Sequence, residues 1–106
     1  MFARSVSIRV KPNGLAEFCR VIEKETIPRL RKEKGFQDEI TFFVPGGSEA
    51  VEISLWDRKE DADAYGRKGS PKVLKALENV IEGDSEVRTY AVSNSTFHKI
   101  SAPVFG

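Results

Sequence analysis

The chain is poor in the residues that carry most metal and nucleophile chemistry: its 106 residues include one cysteine, one histidine, one tryptophan and one methionine. A lone Cys19 closes no internal disulfide, which sets the expectation of a reducing, cytoplasmic setting. Cys19 and His98 stand far apart in the chain and make no convincing metal site. The net charge is only +1, so nothing draws the chain in a general way to nucleic acid or to a membrane surface. No apolar run nears the roughly 20 residues that cross a bilayer. Met1-Phe2-Ala3-Arg4-Ser5 lacks the basic-then-apolar order of a signal peptide. Gly-rich phosphate loops and carboxylate clusters are missing too, which speaks against a nuclease or nucleotide enzyme. A chain of this length suits one domain, with much exposed surface that self-association would help to bury.

What is present is periodicity. Val6, Ile8 and Val10 alternate with Ser5, Ser7 and Arg9, the period-2 pattern of a strand. Lys11-Pro12-Asn13-Gly14 stops it, and Asn13 can cap the next helix. Leu15, Phe18, Cys19 and Ile22 share a helical face, predicting a helix from about Leu15 to Lys34. Pro28 within it predicts a kink or break near Lys24 to Ile27. Arg29, Arg31, Lys32 and Lys34 suit the negative end of the helix dipole, and no aromatic platform is interleaved with them, so they read as a solvated helix end. Gly35 is the stop.

Phe36 to Val44 and Ala50 to Trp56 then form a hairpin about Pro45-Gly46-Gly47-Ser48. Asp57 and Glu60 are spaced as a capping box at the start of a helix. Gly66-Arg67-Lys68-Gly69 predicts an interruption, and Ser70-Pro71 a restart. Val73, Leu74, Leu77, Val80 and Ile81 form its stripe, Gly83 ends it, and Glu86 to Asn94 is the last strand. The βαββαβ order predicts an α+β, ferredoxin-like sandwich over residues 1–95, with a tail at 96–106. Val6, Ile8, Val10, Ile40, Phe42, Val51, Ile53 and Leu55 are expected to face the helices. Ser5, Ser7, Arg9, Gln37, Glu39, Thr41, Phe43, Glu52, Ser54 and Trp56 are expected on the other face. That second face is too polar for an ordinary core, and suits a half-apolar cavity or a partner's sheet.

Ile53-Ser54-Leu55-Trp56 with Lys59-Glu60-Asp61-Ala62 and Ala64-Tyr65 resembles the dimeric α/β-barrel superfamily, nearest to its antibiotic biosynthesis monooxygenase branch. Val10-Lys11-Pro12, Phe18, Pro28, Gly35-Phe36 and Ser70-Pro71-Lys72-Val73-Leu74 add to the likeness, which spans most of residues 4–94. The resemblance implies a homodimer closing two sheets into a barrel, with a small-molecule pocket in each half. It also implies a C-terminal tail reaching the partner, where Phe97, Ile100 and Phe105 would be buried. The activity implied is monooxygenation without a cofactor, on an aromatic, quinol or polyketide-like substrate whose anion reduces dioxygen. The alternative is a non-catalytic ligand-binding or structural dimer. In the heme-degrading branch the places of Tyr65 and Lys75 are held by a tryptophan and an axial histidine, so heme chemistry is not expected.

Candidate bases are Glu39, Glu52 and His98. Arg9 is a candidate anion clamp, and Phe43, Trp56 and Tyr65 are candidate ring contacts. The competing readings are plainer. Glu39, Glu52 and Arg9 also fit cross-strand charge pairs, Trp56 and Tyr65 fit core packing, and His98 fits an exposed or interface residue. Cys19 reads as an inert buried thiol. An enzyme requires an enclosed pocket with a positioned base, so Glu39, Glu52 or His98 is expected to point into a cavity near Trp56 or Tyr65, and a space packed solid there would speak against the enzyme reading.

Overall fold

The computed structural model describes residues 1–100; Val104 and Phe105, assigned to the tail above, lie outside them. The order is β1 (Phe2–Val10), α1 (Leu15–Val21), a π-helical turn (Ile22–Thr26), α2 (Ile27–Leu30), β2 (Phe36–Phe43), β3 (Glu49–Trp56), α3 (Lys59–Ala76) and β4 (Ile81–Ala91). The strands form one antiparallel sheet in the order β2-β3-β1-β4. The helices cover one face of it. This is the expected ferredoxin-like α+β sandwich. No helix among the described residues is long and apolar enough to cross a membrane.

The disturbance expected from Pro28 is a widened turn. In an α-helix its ring would meet the carbonyl four residues back. The chain instead inserts a π turn, and the Ile27 N–H donates to the carbonyl of Ile22, five residues back. Gly35 then takes φ +80°, and a Cβ there would lie 2.1 Å from Asp61 Oδ2, so glycine is required for both reasons.

Four local expectations are corrected. Ile81 and Gly83, read as the end of the second helix, lie in β4, which runs Ile81–Ala91 rather than Glu86 to Asn94. The Asp57–Glu60 capping box does not form. The residue before α3 is Arg58, with no side-chain cap, because Asp57 Oδ1 instead accepts from Gln37 Nε2 at 2.7 Å. Asn13 does not cap α1 either; it takes φ 62° ahead of Gly14. Most consequentially, α3 runs unbroken through Gly66, Gly69, Ser70 and Pro71. Its glycines serve close packing. A Cβ on Gly69 would sit 2.5 Å from the Tyr65 ring, and one on Gly66 would sit 3.3 Å from Arg4 Nε.

The largest correction concerns the sheet faces. Val6, Ile8 and Val10 face the helices as expected. Val6 pairs with Glu52 and Ile8 with Ala50 on β3, with Ser54 opposite Arg4 and Trp56 opposite Phe2. The helix face of β3 is therefore Ala50, Glu52, Ser54 and Trp56, all buried. Val51, Ile53 and Leu55 point away. On β2, Glu39, Thr41 and Phe43 pair with Ser54, Glu52 and Ala50 and face the helices, so Ile40 and Phe42 point away. An irregularity between Phe36 and Asp38 keeps Phe36 opposite Trp56 across the change of parity. The period-2 signal was right and the side was wrong. Both sets of β3 residues hold large apolar groups, and a one-residue choice of register exchanges every side chain.

Gly69→Ala should destabilise the protein by about 1–3 kcal/mol despite the better helix propensity of alanine, because the buried Tyr65 ring cannot yield to the new methyl. A urea midpoint equal to or above that of the parent would show that the ring has room.

Candidate functional site

Two apolar clusters make up the core. One joins Val6, Ile8, Val10, Phe18, Val21, Ile22, Ala50, Val73 and Leu77. The other joins Leu30, Trp56, Ala62 and Tyr65, with Phe36 against it. Between them lies a layer of buried polar side chains, one or two from each element that crosses it. On β3, Glu52 and Ser54 stand between Ala50 and Trp56. On β1, Arg4 precedes Val6. In the first helical arm Thr26 lies between Ile22 and Leu30, and on α3 Ser70 lies between Tyr65 and Val73. All five are at most 6 % exposed.

Arg4 is held on several sides. Its Nη2 donates to Ser70 Oγ at 3.1 Å. Its guanidinium carbon lies 5.5 Å from the centre of the Tyr65 ring, a cation–π distance. Gly66 leaves room for its Nε. Ser54 accepts from Trp56 Nε1 at 2.8 Å. Three polar atoms in the layer remain without a hydrogen-bond partner among the described residues: Arg4 Nη1, Glu52 Oε1 and Thr26 Oγ1. Such atoms cost roughly 1–3 kcal/mol each, more when charged, so a fold keeps them for a reason.

Electrostatics follow from this burial. Desolvation pushes the Glu52 carboxyl up to about 7, with the charge of Glu39 adding to the shift and Arg4 opposing it. Burial also raises Glu39, while a hydrogen bond from Thr41 works against the rise. Burial lowers Arg4, against the pull of Glu52. Glu52 is thus a buried carboxylate able to hold or release a proton near neutral pH.

A cleft of about 380 Å³ opens beside the layer, between the first helical arm (Cys19, Ile22, Glu23, Ile27) and the helix face of β2 (Glu39, Thr41, Phe43). Thr41 is the register partner of Glu52, and Glu39 that of Ser54. The polar layer therefore begins one strand, about 4.8 Å, behind the cleft wall. The π turn contributes to both: Ile22 and Glu23 line the cleft and Thr26 belongs to the layer. π turns are costly and gather at functional sites.

The structure divides the candidates from the sequence. Glu39 and Phe43 line the cleft, and Glu52 lies directly behind it. Trp56 is fully buried, edge-on to Phe36 at 5.6 Å and tilted against Tyr65 at 5.2 Å between ring centres. The cavity expected near Trp56 is not there: Trp56 and Tyr65 pack it solid, which counts against an oxygenase built around Trp56, and the cleft that does open lies further along the sheet, against β2. Tyr65 is buried beneath Arg4, and burial pushes its hydroxyl pKa up. Arg9 is on the opposite sheet face, bonded to Ser48 Oγ at 3.0 Å and 3.5 Å from Glu49, so it is no clamp for this cleft. His98 Nε2 pairs with Asp38 of its own β2, and Phe97 is largely exposed. Cys19 is partly exposed as a cleft residue rather than sealed in the core. Arg4, Thr26 and Ser70 were missed. The signal for Arg4 was available: it shares parity with Val6, Ile8 and Val10 on a core-facing strand. Ser70 was hidden because Ser-Pro also reads as a helix start.

No family model matches the chain, and no curated protein matches it. Solved structures match the fold well. A monooxygenase of Streptomyces coelicolor in complex with nanaomycin D superposes with TM-score 0.75 at 14 % identity, over 92 % of each chain. SnoaB, a cofactor-independent oxygenase from Streptomyces nogalater, gives 0.71 at 18 % identity, covering 90 % of this chain and 95 % of its own. A protein of unknown function from Nitrosomonas europaea gives 0.76 at 16 % identity, over 95 % and 94 %. The fold is that of antibiotic biosynthesis monooxygenase structures, as the resemblance in the sequence implied.

Glu52 carries a stability signature of definite sign. Its folded pKa lies above the unfolded value, so the folded state holds the extra proton between about pH 4.5 and 7 and loses relative stability as pH rises through that window. Glu52→Gln removes this cost. It should stabilise the protein by on the order of 1 kcal/mol near pH 5 and 3 kcal/mol near pH 8, read from urea unfolding at each pH. A difference independent of pH would contradict the raised pKa.

Proposed function

We propose that this protein is a cofactor-independent monooxygenase of a phenolic or quinol-type aromatic substrate. Its ring would lie in the cleft, and Glu52 would be the base. The reading rests on one observation above the others: a buried carboxylate with an unpartnered oxygen, poised near neutral pH beside a buried arginine and one strand from a largely apolar cleft. Cys19, Ile22, Ile27 and Phe43 supply the apolar walls for a ring. Deprotonation gives an electron-rich anion, which Arg4 stabilises. The anion passes an electron to dioxygen, the two radicals combine at a ring carbon, and water is lost. A phenol and dioxygen thus give a quinone and water, with every electron drawn from the substrate. The protein's share is the base, the orientation and the exclusion of water. Glu39, at the cleft wall, returns the proton to solvent. The monooxygenases that share the fold support this reaction class for the cleft.

The active unit in this reading is a homodimer. The sheet face away from the helices carries Ile40, Phe42, Val51, Ile53 and Leu55, and Phe42 is 52 % exposed. A contiguous apolar sheet face of this kind asks for cover, and a second copy of the same face provides it, closing the two sheets into a barrel.

Glu52→Gln should lower oxygen consumption with a panel of phenols and quinols by about a hundredfold or more while leaving the fold intact. Undiminished uptake would reduce the cleft to a binding site without chemistry. Native mass spectrometry should show a dimer for the parent chain and a monomer for Ile53→Asp, which sets a charge in the middle of the apolar face. A monomeric parent would remove the barrel.

A further inference from the structure

The open cleft against β2 carries a charge pattern that the reaction proposed above does not explain. Two carboxylates line it, Glu23 from the π turn and Glu39 from β2, and no lysine, arginine or histidine does. Elsewhere the chain matches acids to bases: Glu17 pairs with Arg20, Glu49 with Arg9, and Asp63 with Lys59. Neither Glu23 nor Glu39 forms an ion pair among the described residues, although the chain has 17 lysines and arginines. Glu23 is exposed, and water screens its charge. Glu39 is different. It is half-buried, burial raises its carboxyl pKa, and no cation offsets that rise. The Thr41 hydroxyl donates to its Oε2, which orients the carboxylate, and Oε1 has no side-chain partner among the described residues. The wall beside these acids is apolar, with Ile22, Ile27 and Phe43, and the face of a phenylalanine ring attracts a cation.

We infer that the cleft selects phenols that carry a protonated alkyl amine, the ring against Ile22, Ile27 and Phe43 and the ammonium facing Glu39, with Glu23 adding its charge. This rests on the cleft being the substrate site, and it narrows the substrate class. A neutral phenol fills the apolar wall and leaves Glu39 desolvated without a counter-charge. An anionic side chain meets both carboxylates, with Glu52 one strand behind them, and is repelled. An ammonium supplies the charge that the chain withholds, and its three N–H donors can serve more than one oxygen. It also keeps Glu39 ionised, the state in which Glu39 takes up a proton released through Glu52. A metal ion does not fit the same description: no group of three or more histidine, cysteine, aspartate or glutamate side chains among the described residues could hold one. The selection is local to the cleft, because a net charge of +1 gives the chain no long-range pull on cations.

The test is calorimetric binding under nitrogen, which separates selection from oxygenation. Three probes share one phenol ring and differ in side-chain charge: tyramine is a cation, 4-ethylphenol is neutral and 3-(4-hydroxyphenyl)propionate is an anion. The parent protein should bind tyramine about tenfold or more tighter than 4-ethylphenol, the worth of one charge-assisted hydrogen bond, and the propionate most weakly. The preference for tyramine should shrink in about 0.5 M salt. The double variant Glu23→Gln/Glu39→Gln should bring the tyramine and 4-ethylphenol affinities level. Equal affinities for the three probes in the parent protein, or no binding of tyramine, would overturn the inference, and that measurement needs no variant to fold. Oxygen uptake with phenols together with equal probe affinities would leave the oxygenase reading standing and refute the ammonium site. A tyramine preference without oxygen uptake would do the reverse.

Discussion

Burying the Arg4 guanidinium and the Glu52 carboxylate without pairing them is the constraint on which much of this structure depends. Each charge gives up its hydration, and neither gets the other in return. Around Arg4 the fold supplies partial compensation: the hydroxyl of Ser70, the face of Tyr65 and the space left by Gly66. Tyr65 and Gly66 share one turn of α3 and Ser70 lies on the next, so the helix must be continuous there. Its glycines and Ser70-Pro71 follow from that requirement. Around Glu52 no such compensation exists, and its proton affinity rises instead.

The layer also explains how a domain this small keeps two separate apolar clusters. Aromatic packing of Trp56 on Phe36 and Tyr65 anchors one end of the sandwich. Phe18, Val21, Val73 and Leu77 over β1 anchor the other. The polar layer between them costs stability, because its desolvated groups are only partly compensated. The widened helical turn at Ile22–Thr26 borders the same layer, so a second local irregularity falls at the same level of the fold.

The opposite face of the sheet answers a different demand. With Trp56 and Glu52 turned inward, the aliphatic residues of β2 and β3 turn outward. The result is a sheet apolar on one side of its outer face, at β2 and β3, and polar on the other, at Ser5, Ser7 and Arg9 of β1. That distribution fits a partner's sheet better than it fits water. It follows from the same register that places Glu52 beside the cleft, so the apolar outer face and the buried polar layer are two consequences of one choice of parity.

Much of the fold was legible in the sequence. The strand alternations, the apolar stripes of the helices, Gly35 as a stop and Pro28 as a disturbance are local signals, and the structure places an element or an irregularity at each. Glu39, Glu52 and Phe43 were legible as candidates because polar and aromatic residues recurred at one parity of a strand pair. Which way that parity pointed was not legible: Val51, Ile53 and Leu55 compete with Trp56 for the interior, and only the packing of Trp56 against Phe36 and Tyr65 decides the contest. Ser70 and the α3 glycines carried turn-like and cap-like signals that tertiary contact with Arg4 and Tyr65 overrode. The sequence by itself determined the elements and their order, because hydrophobic period and backbone preference act within a few residues. Only the tertiary structure decided which side chains are deprived of water and partners together, because desolvation depends on neighbours from four separate elements meeting in one layer.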